Sequence, residues 1–195
     1  MQPPAAGLAD LPLSEVLERL AARTPGPGAG SASALSCALA AGLIEMACQF
    51  DSSVMAQGRL VRATALRERA LGLADQDRDS YQPVLDALAM PADDLQRETR
   101  LAAARSAASS SPLAIAGVAA QLAGIAAECA ESGNEHLIGE AVAAAELADG
   151  ACRAAAHLVR LNLRESPGDP RRTEVSGLVQ SAARALEEAF ALASG

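Results

Sequence analysis

Apolar residues recur at helical spacing along nearly the whole chain, and proline, glycine or serine marks each place where the pattern stops. Leu13, Val16, Leu17 and Leu20 share one face of a first helix over residues 14–22. Pro25, Gly26, Pro27, Gly28 and Gly30 then break the chain. Ser31 is the natural N-cap of a second helix, from Ala32 through Phe50, in which Leu35, Leu39, Leu43, Met46 and Phe50 form one apolar stripe. A third helix covers 54–88 and is closed by Pro91. A fourth starts at Asp93 or Asp94, is disturbed at SSSP near Ser110, and resumes over 113–131. Ser132, Gly133 and Asn134 stop it. A fifth helix spans 135–164, SPGDP breaks the chain at 166–170, and a last helix covers 174–193. Residues 1–10 read as a loose leader. The pattern predicts one all-α domain over 1–195, an elongated antiparallel bundle of five or six helices, several far longer than the average of about 11–12 residues.

Composition sharpens this. Half the residues are apolar but only 2% are aromatic, so the core must be alanine, leucine and valine. Helices packed through alanine approach closely, and few β-branched or aromatic runs are present to build a sheet. The formal net charge of -8 argues against a nucleic-acid partner. All the cations are arginine, which excludes Schiff-base lysine chemistry and a P-loop lysine. Cys37, Cys48, Cys129 and Cys152 lack metal-ligand spacing and read as small buried apolar groups. His136 and His157 form no zinc or di-iron motif, so no metal is expected. Glu45, Arg105 and Gln121 interrupt the apolar runs, so no membrane span is read, and no signal peptide precedes them. The expected location is the cytoplasm.

Candidate chemistry lies where polar residues interrupt apolar stripes. The turn before the second helix leaves free N–H groups at a positive helix end with little side-chain bulk, suited either to an anion or simply to a tight corner. Asp77 falls within the stripe of Leu73, Tyr81, Val84, Leu85 and Leu88, while Asp75 and Asp79 lie on a solvent-like face. An inward carboxylate with a raised pKa is a general base or acid near neutral pH; equally, it can cap an arginine or a helix end. Asn162 continues the ladder of Ala155, Leu158 and Val159, placed to bind a ligand ring or a neighbouring helix. The stripe over 141–156 suits close helix contact between subunits.

The order of these blocks is PGPGAGSASA, DQDRDSYQPVLDALAMP, SSSPLAIA, then GNEHLIGEAVAAAELADGACRAAAHLVRLNL. Over residues 11–163 it resembles the cyclodeaminase/cyclohydrolase family, which includes the C-terminal domain of formiminotransferase-cyclodeaminase and bacterial methenyltetrahydrofolate cyclohydrolases. Pro27, Gly28, Ala29, Gly30 and Ser31 match the family's PGGGS turn. Asp75, Asp77 and Tyr81 match its acidic segment, Gly133 and Asn134 its GN-turn, and Val159 and Asn162 its closing asparagine motif. The chain departs at Ala29, where the family has a middle glycine, at Gly139-Glu140 in place of Ser-Asp, and at Leu158 in place of asparagine. DSSVMAQGR replaces a basic stretch, leaving Arg59 and Arg62 to stand in.

The resemblance implies a dimeric helical bundle that opens or closes the methenyl bridge of tetrahydrofolate, with the folate as substrate and no further cofactor. It implies Asp77 as the catalytic carboxylate and Glu140 as a second one. Gly28, Ala29, Gly30 and Ser31, together with Asn134 and Asn162, would bind the substrate, and Arg100 or Arg105 would meet its anionic tail. A rival reading is a helical dimer that binds a folate-like ligand or a partner without turnover, or serves only as structure.

Overall fold

The computed structural model describes residues 7–193, among which the chain is all-α. Five long helices make the body: α2 (Ala29–Gln49), α3 (Val54–Ser80), α6 (Ser110–Ser132), α7 (Ile138–Asn162) and α8 (Pro170–Ala193). Of three short ones, α1 (Leu13–Ala21) precedes them, and α4 (Gln82–Ala89) and α5 (Arg97–Ala108) lie between α3 and α6 in sequence. Residue contacts give the directions. Ser31 at the start of α2 bonds Ala74 near the end of α3, and Asn162 at the end of α7 bonds Ala108 just before α6. Arg59 early in α3 bonds Glu128 and Ser132 late in α6. So α2 and α6 run one way and α3 and α7 the other, which puts the N-termini of α2 and α6 at one end of the bundle.

Several boundaries differ from those read in the sequence, each for a local reason. Helix α2 begins at Ala29 with Gly28 as N-cap, and Ser31 is inside the helix, fully buried, its hydroxyl donating to the Ala74 carbonyl at 2.7 Å. The single third helix is divided at Tyr81, where Pro83 opens a new turn as α4. Asp94 accepts from the Gln96 N–H in a turn, and α5 starts only at Arg97. SSSP is a break of one residue: Ser109 ends α5 and Pro112 sits in the first turn of α6, where proline has no bond to lose. Pro170 likewise starts α8 ahead of the expected Glu174. Arg171 fastens that start, donating to the Ser106 carbonyl and to the Ser106 and Ser109 hydroxyls at 2.7–2.8 Å, while pairing with Asp169.

The leader reading fails for residues 7–10, and residues 1–6 lie outside the described residues. Leu8 is buried in a 3-10 turn, Leu8–Asp10, and its N–H donates to the Asp75 carboxylate at 2.9 Å. Asp75 is therefore not a solvent residue; it also pairs with Arg78.

The core is built from small side chains. Ala34, Cys37 and Ala41 of α2 meet Ala116, Ala119 and Ala123 of α6 and Ala144, Ala148 and Ala155 of α7, all at 0% exposure. The 141–156 stripe is thus spent inside the chain, not between subunits. All four cysteines are buried and free, with the Cys48 and Cys129 sulfurs 3.9 Å apart. By length and hydropathy alone, Ala29–Gln49 and Arg97–Ser132 are long and apolar enough to cross a membrane; half or more of each apolar window is buried within the bundle. A leucine at Ala148 has no room to enter. Ala148→Leu is expected to destabilise by about 1–3 kcal/mol, read as a melting temperature lower by roughly 3–10 °C.

Candidate active site

A close approach in the bundle joins the glycine turn to the acidic segment. Gly30 is buried in the first turn of α2, and a Cβ built on it would overlap both carboxylate oxygens of Asp77. Only a residue without a side chain lets α3 deliver a carboxylate onto the α2 N-terminus. The N–H groups that the sequence offers to a ligand are thus met first by the protein's own anion. Burial pushes the Asp77 carboxyl above the ordinary carboxylate pKa, while the Ser31 backbone N–H and the Ser111 hydroxyl, both turned towards it, pull the other way. Ser31 and Ser111 sit in the first turns of α2 and of α6, so two positive helix ends lie near one half-buried carboxylate.

Beside it opens a cavity of about 220 Å³, lined by Gly28, Ala29, Gly30 and Asp77, by Tyr81 and Pro112, and by Leu158, Leu161 and Asn162. Asn162 donates its Nδ2 to the Ala108 carbonyl at 3.2 Å while lining the cavity. Arg78 also lines the space but is held by Asp75 and Asp79. The cavity is smaller than the roughly 300–1,000 Å³ of a pocket that encloses a whole drug-sized ligand, so it fits the reacting end of a larger molecule.

Of the sequence candidates, Asp77, Gly28, Ala29, Gly30 and Asn162 come together. Ser31 is behind the wall, bonded to Ala74. Asn134 and Glu140 are elsewhere. Asn134 Nδ2 donates to the Phe50 carbonyl at 3.4 Å and its Oδ1 accepts from His136 N, at the far end of the bundle. Glu140 is in the first turn of α7 while Asn162 is its last residue, so the two are about 33 Å apart along the axis. Arg105 pairs with Glu165 and Arg100 bonds Gln96, and neither lines the cavity. Arg59 is buried on Asp51, Glu128 and Ser132, and Arg62 pairs with Glu128, so neither is a free basic group. Ser111, Leu161 and the depth of Gly30 were not singled out by pattern; the one signal for Ser111 is its place before Pro112 at the SSSP break.

A family model for formiminotransferase-cyclodeaminase matches residues 12–176, which enclose the entire cavity wall. The chain belongs to the formiminotransferase-cyclodeaminase family. It is similar to methenyltetrahydrofolate cyclohydrolase of Methylorubrum extorquens, at 27% identity over 190 residues that cover 89% of this chain and 91% of the relative. Its fold is similar to the crystal structure of formiminotetrahydrofolate cyclodeaminase from Thermotoga maritima, with a TM-score of 0.81 at 23% identity over 95% of each chain. Two of the departures from the family's pattern, Ala29 and Leu158, lie on the cavity wall and make it less polar.

Gly30→Ala is expected to displace Asp77 and to lower stability by about 1–3 kcal/mol, whereas a Cβ at the N-cap Gly28 meets nothing within 4 Å and Gly28→Ala should cost at most about 1 kcal/mol, both read from thermal unfolding. A second outcome follows from the sign of the Asp77 shift. With its folded pKa raised, the carboxyl's contribution is present below the unfolded carboxylate range and lost as pH rises through the folded value. Thermal unfolding followed against pH should therefore show the wild type losing stability relative to Asp77→Asn as pH rises above about 4.

Proposed function

We propose that this chain is a folate-dependent one-carbon enzyme that opens or closes the methenyl bridge of tetrahydrofolate, as a cyclohydrolase or as a cyclodeaminase, working as a homodimer in the cytoplasm with the folate as its substrate and no added cofactor. The observation that carries the reading is Asp77, half-buried with its pKa raised, lining one cavity with Asn162 and the glycine turn.

Such chemistry needs a carboxylate twice. In the hydrolytic direction water adds to the cationic methenyl carbon, one ring C–N bond breaks, and 10-formyltetrahydrofolate and a proton result. Asp77 accepts the proton of the attacking water and returns it to the departing ring nitrogen, and its charge faces the cationic bridge while that bridge still carries its own. A carboxyl with a raised pKa is suited to both halves of that exchange. In the deaminase direction the same group protonates the leaving ammonia. Asn162 orients the ring through its amide, and Ala29, Leu158 and Leu161 enclose the apolar part of the bridge. The polyanionic tail lies outside a cavity of this size.

The apolar character that Leu158 lends to the wall favours one second reading, a family member that binds a folate without turning it over. The two part in one assay. Purified chain is expected to speed the loss of methenyltetrahydrofolate absorbance over buffer, and Asp77→Asn to lower the rate about 10²–10⁴-fold. Calorimetric folate binding without acceleration would establish the binding protein instead, and neither binding nor acceleration would leave a structural role.

A further inference from the structure

The Gly133-Asn134 turn takes no part in the Asp77 cavity, yet it is closely built. Gly133 donates its N–H to the Cys129 carbonyl at 2.9 Å, and a Cβ on Gly133 would overlap that same carbonyl. Only glycine lets the chain fold down onto the last turn of α6 there. Asn134 reaches across to the Phe50 carbonyl, so the turn after α6 is tied to the corner after α2. Beneath them the Cys48 and Cys129 sulfurs lie 3.9 Å apart, one from the last turn of α2 and one from the last turn of α6.

The two sulfurs border a cavity of about 10 Å³, shared with Asp51, Arg59, Asn134 and Leu137. That is about the room one water-sized molecule needs. Arg59 commits its terminal nitrogens to Asp51, Glu128 and Ser132, but its Nε is buried with no hydrogen-bond partner among the described residues. The cavity thus brings together a cation with a donor to spare and two soft nucleophiles. The other cysteines differ. Cys37 and Cys152 are 0% exposed and do not border this cavity, whereas Cys48 is 4% and Cys129 6% exposed.

We propose that Cys48 and Cys129 are a dithiol site that hydrogen peroxide oxidises to a disulfide, fastening the C-terminal end of α2 to that of α6. In the first step the Cys48 sulfur attacks one peroxide oxygen and the O–O bond breaks. Cys48 becomes a sulfenic acid, and the other oxygen leaves as water with the thiol proton. In the second step the Cys129 sulfur attacks the Cys48 sulfur, the S–O bond breaks, and a second water leaves as the S–S bond closes. Two thiols are oxidised and one peroxide is reduced to two waters. Burial, and then the charge that Cys48 would carry, push the Cys129 thiol up to about 12, against the pull of Arg59. Cys129 therefore keeps its proton at neutral pH, and Cys48 reacts first. Burial also slows the attack, so the site responds to sustained oxidant. The new bond joins residues 81 apart in sequence. It holds together the far ends of the two helices whose first turns bring Ser31 and Ser111 to Asp77.

Reduced wild-type chain, folded at neutral pH and treated with excess hydrogen peroxide, should lose about 2 Da and two of its four thiols. A non-reducing peptide map should join Cys48 to Cys129 alone. The thermal unfolding midpoint should rise by roughly 5–15 °C and fall back on reduction with dithiothreitol. Cys129→Ser, checked for helicity by circular dichroism, should stop at a Cys48 sulfenic acid that dimedone captures. Four thiols that survive the oxidant, or a bond that includes Cys37 or Cys152, overturn the site. A disulfide that leaves the midpoint unchanged overturns the fastening. Dimedone captured on Cys129 in Cys48→Ser, with none on Cys48 in Cys129→Ser, overturns the order of attack.

Discussion

The structure depends on a carboxylate resting on a glycine. For Asp77 to reach the α2 N-terminus, α2 and α3 must cross within the radius that any side chain at Gly30 would occupy. That approach fixes how the two helices meet, and the Ser31 hydroxyl bonding the Ala74 carbonyl one turn away holds it there. Burial disfavours the charge, and two positive helix ends offset part of that cost. The net effect is a carboxyl whose pKa lies above the ordinary carboxylate value, burial outweighing the two donors.

Alanine packing makes this possible over the rest of the bundle. Small side chains on the inward faces of α2, α6 and α7 bring the helices close and keep them long and regular. With little volume inside, Leu39 and Phe50 at this helix are left exposed, and Leu35, Leu43 and Met46 only half-buried. The same choice of residues therefore sets the tight crossing at Gly30 and leaves an apolar outer face.

Cations are committed differently from what their number suggests. Arg59, Arg62, Arg105 and Arg171 hold helix ends and carboxylates of the chain itself. Arg171 in particular pins the first turn of α8 to the Ser106–Ser109 break, immediately before the α6 turn that faces Asp77. Among the described residues the cavity wall holds a single arginine, Arg78, itself paired with Asp75 and Asp79, beside Asp77, Ser80, Tyr81, Asn162 and apolar groups.

Helical periodicity and breakers were enough to read an all-α bundle, the positions of its long helices and the inward lean of Asp77, because helix formation and interruption are local properties of the chain. The grouping of the glycine turn with Asp77 and Asn162 was legible through the order of motifs in a family, not through spacing. The chain alone could not say which face of α2 looks inward: a stripe of leucines satisfies the periodic rule on either side, and only the close packing of alanines decides that the small face wins. Nor could it place Asn134 and Glu140, since family motifs carry no distances and 22 residues of helix separate Glu140 from Asn162. Local chemistry determined the elements and their breaks; the space between helices, set by the smallest side chains, decided which residues meet.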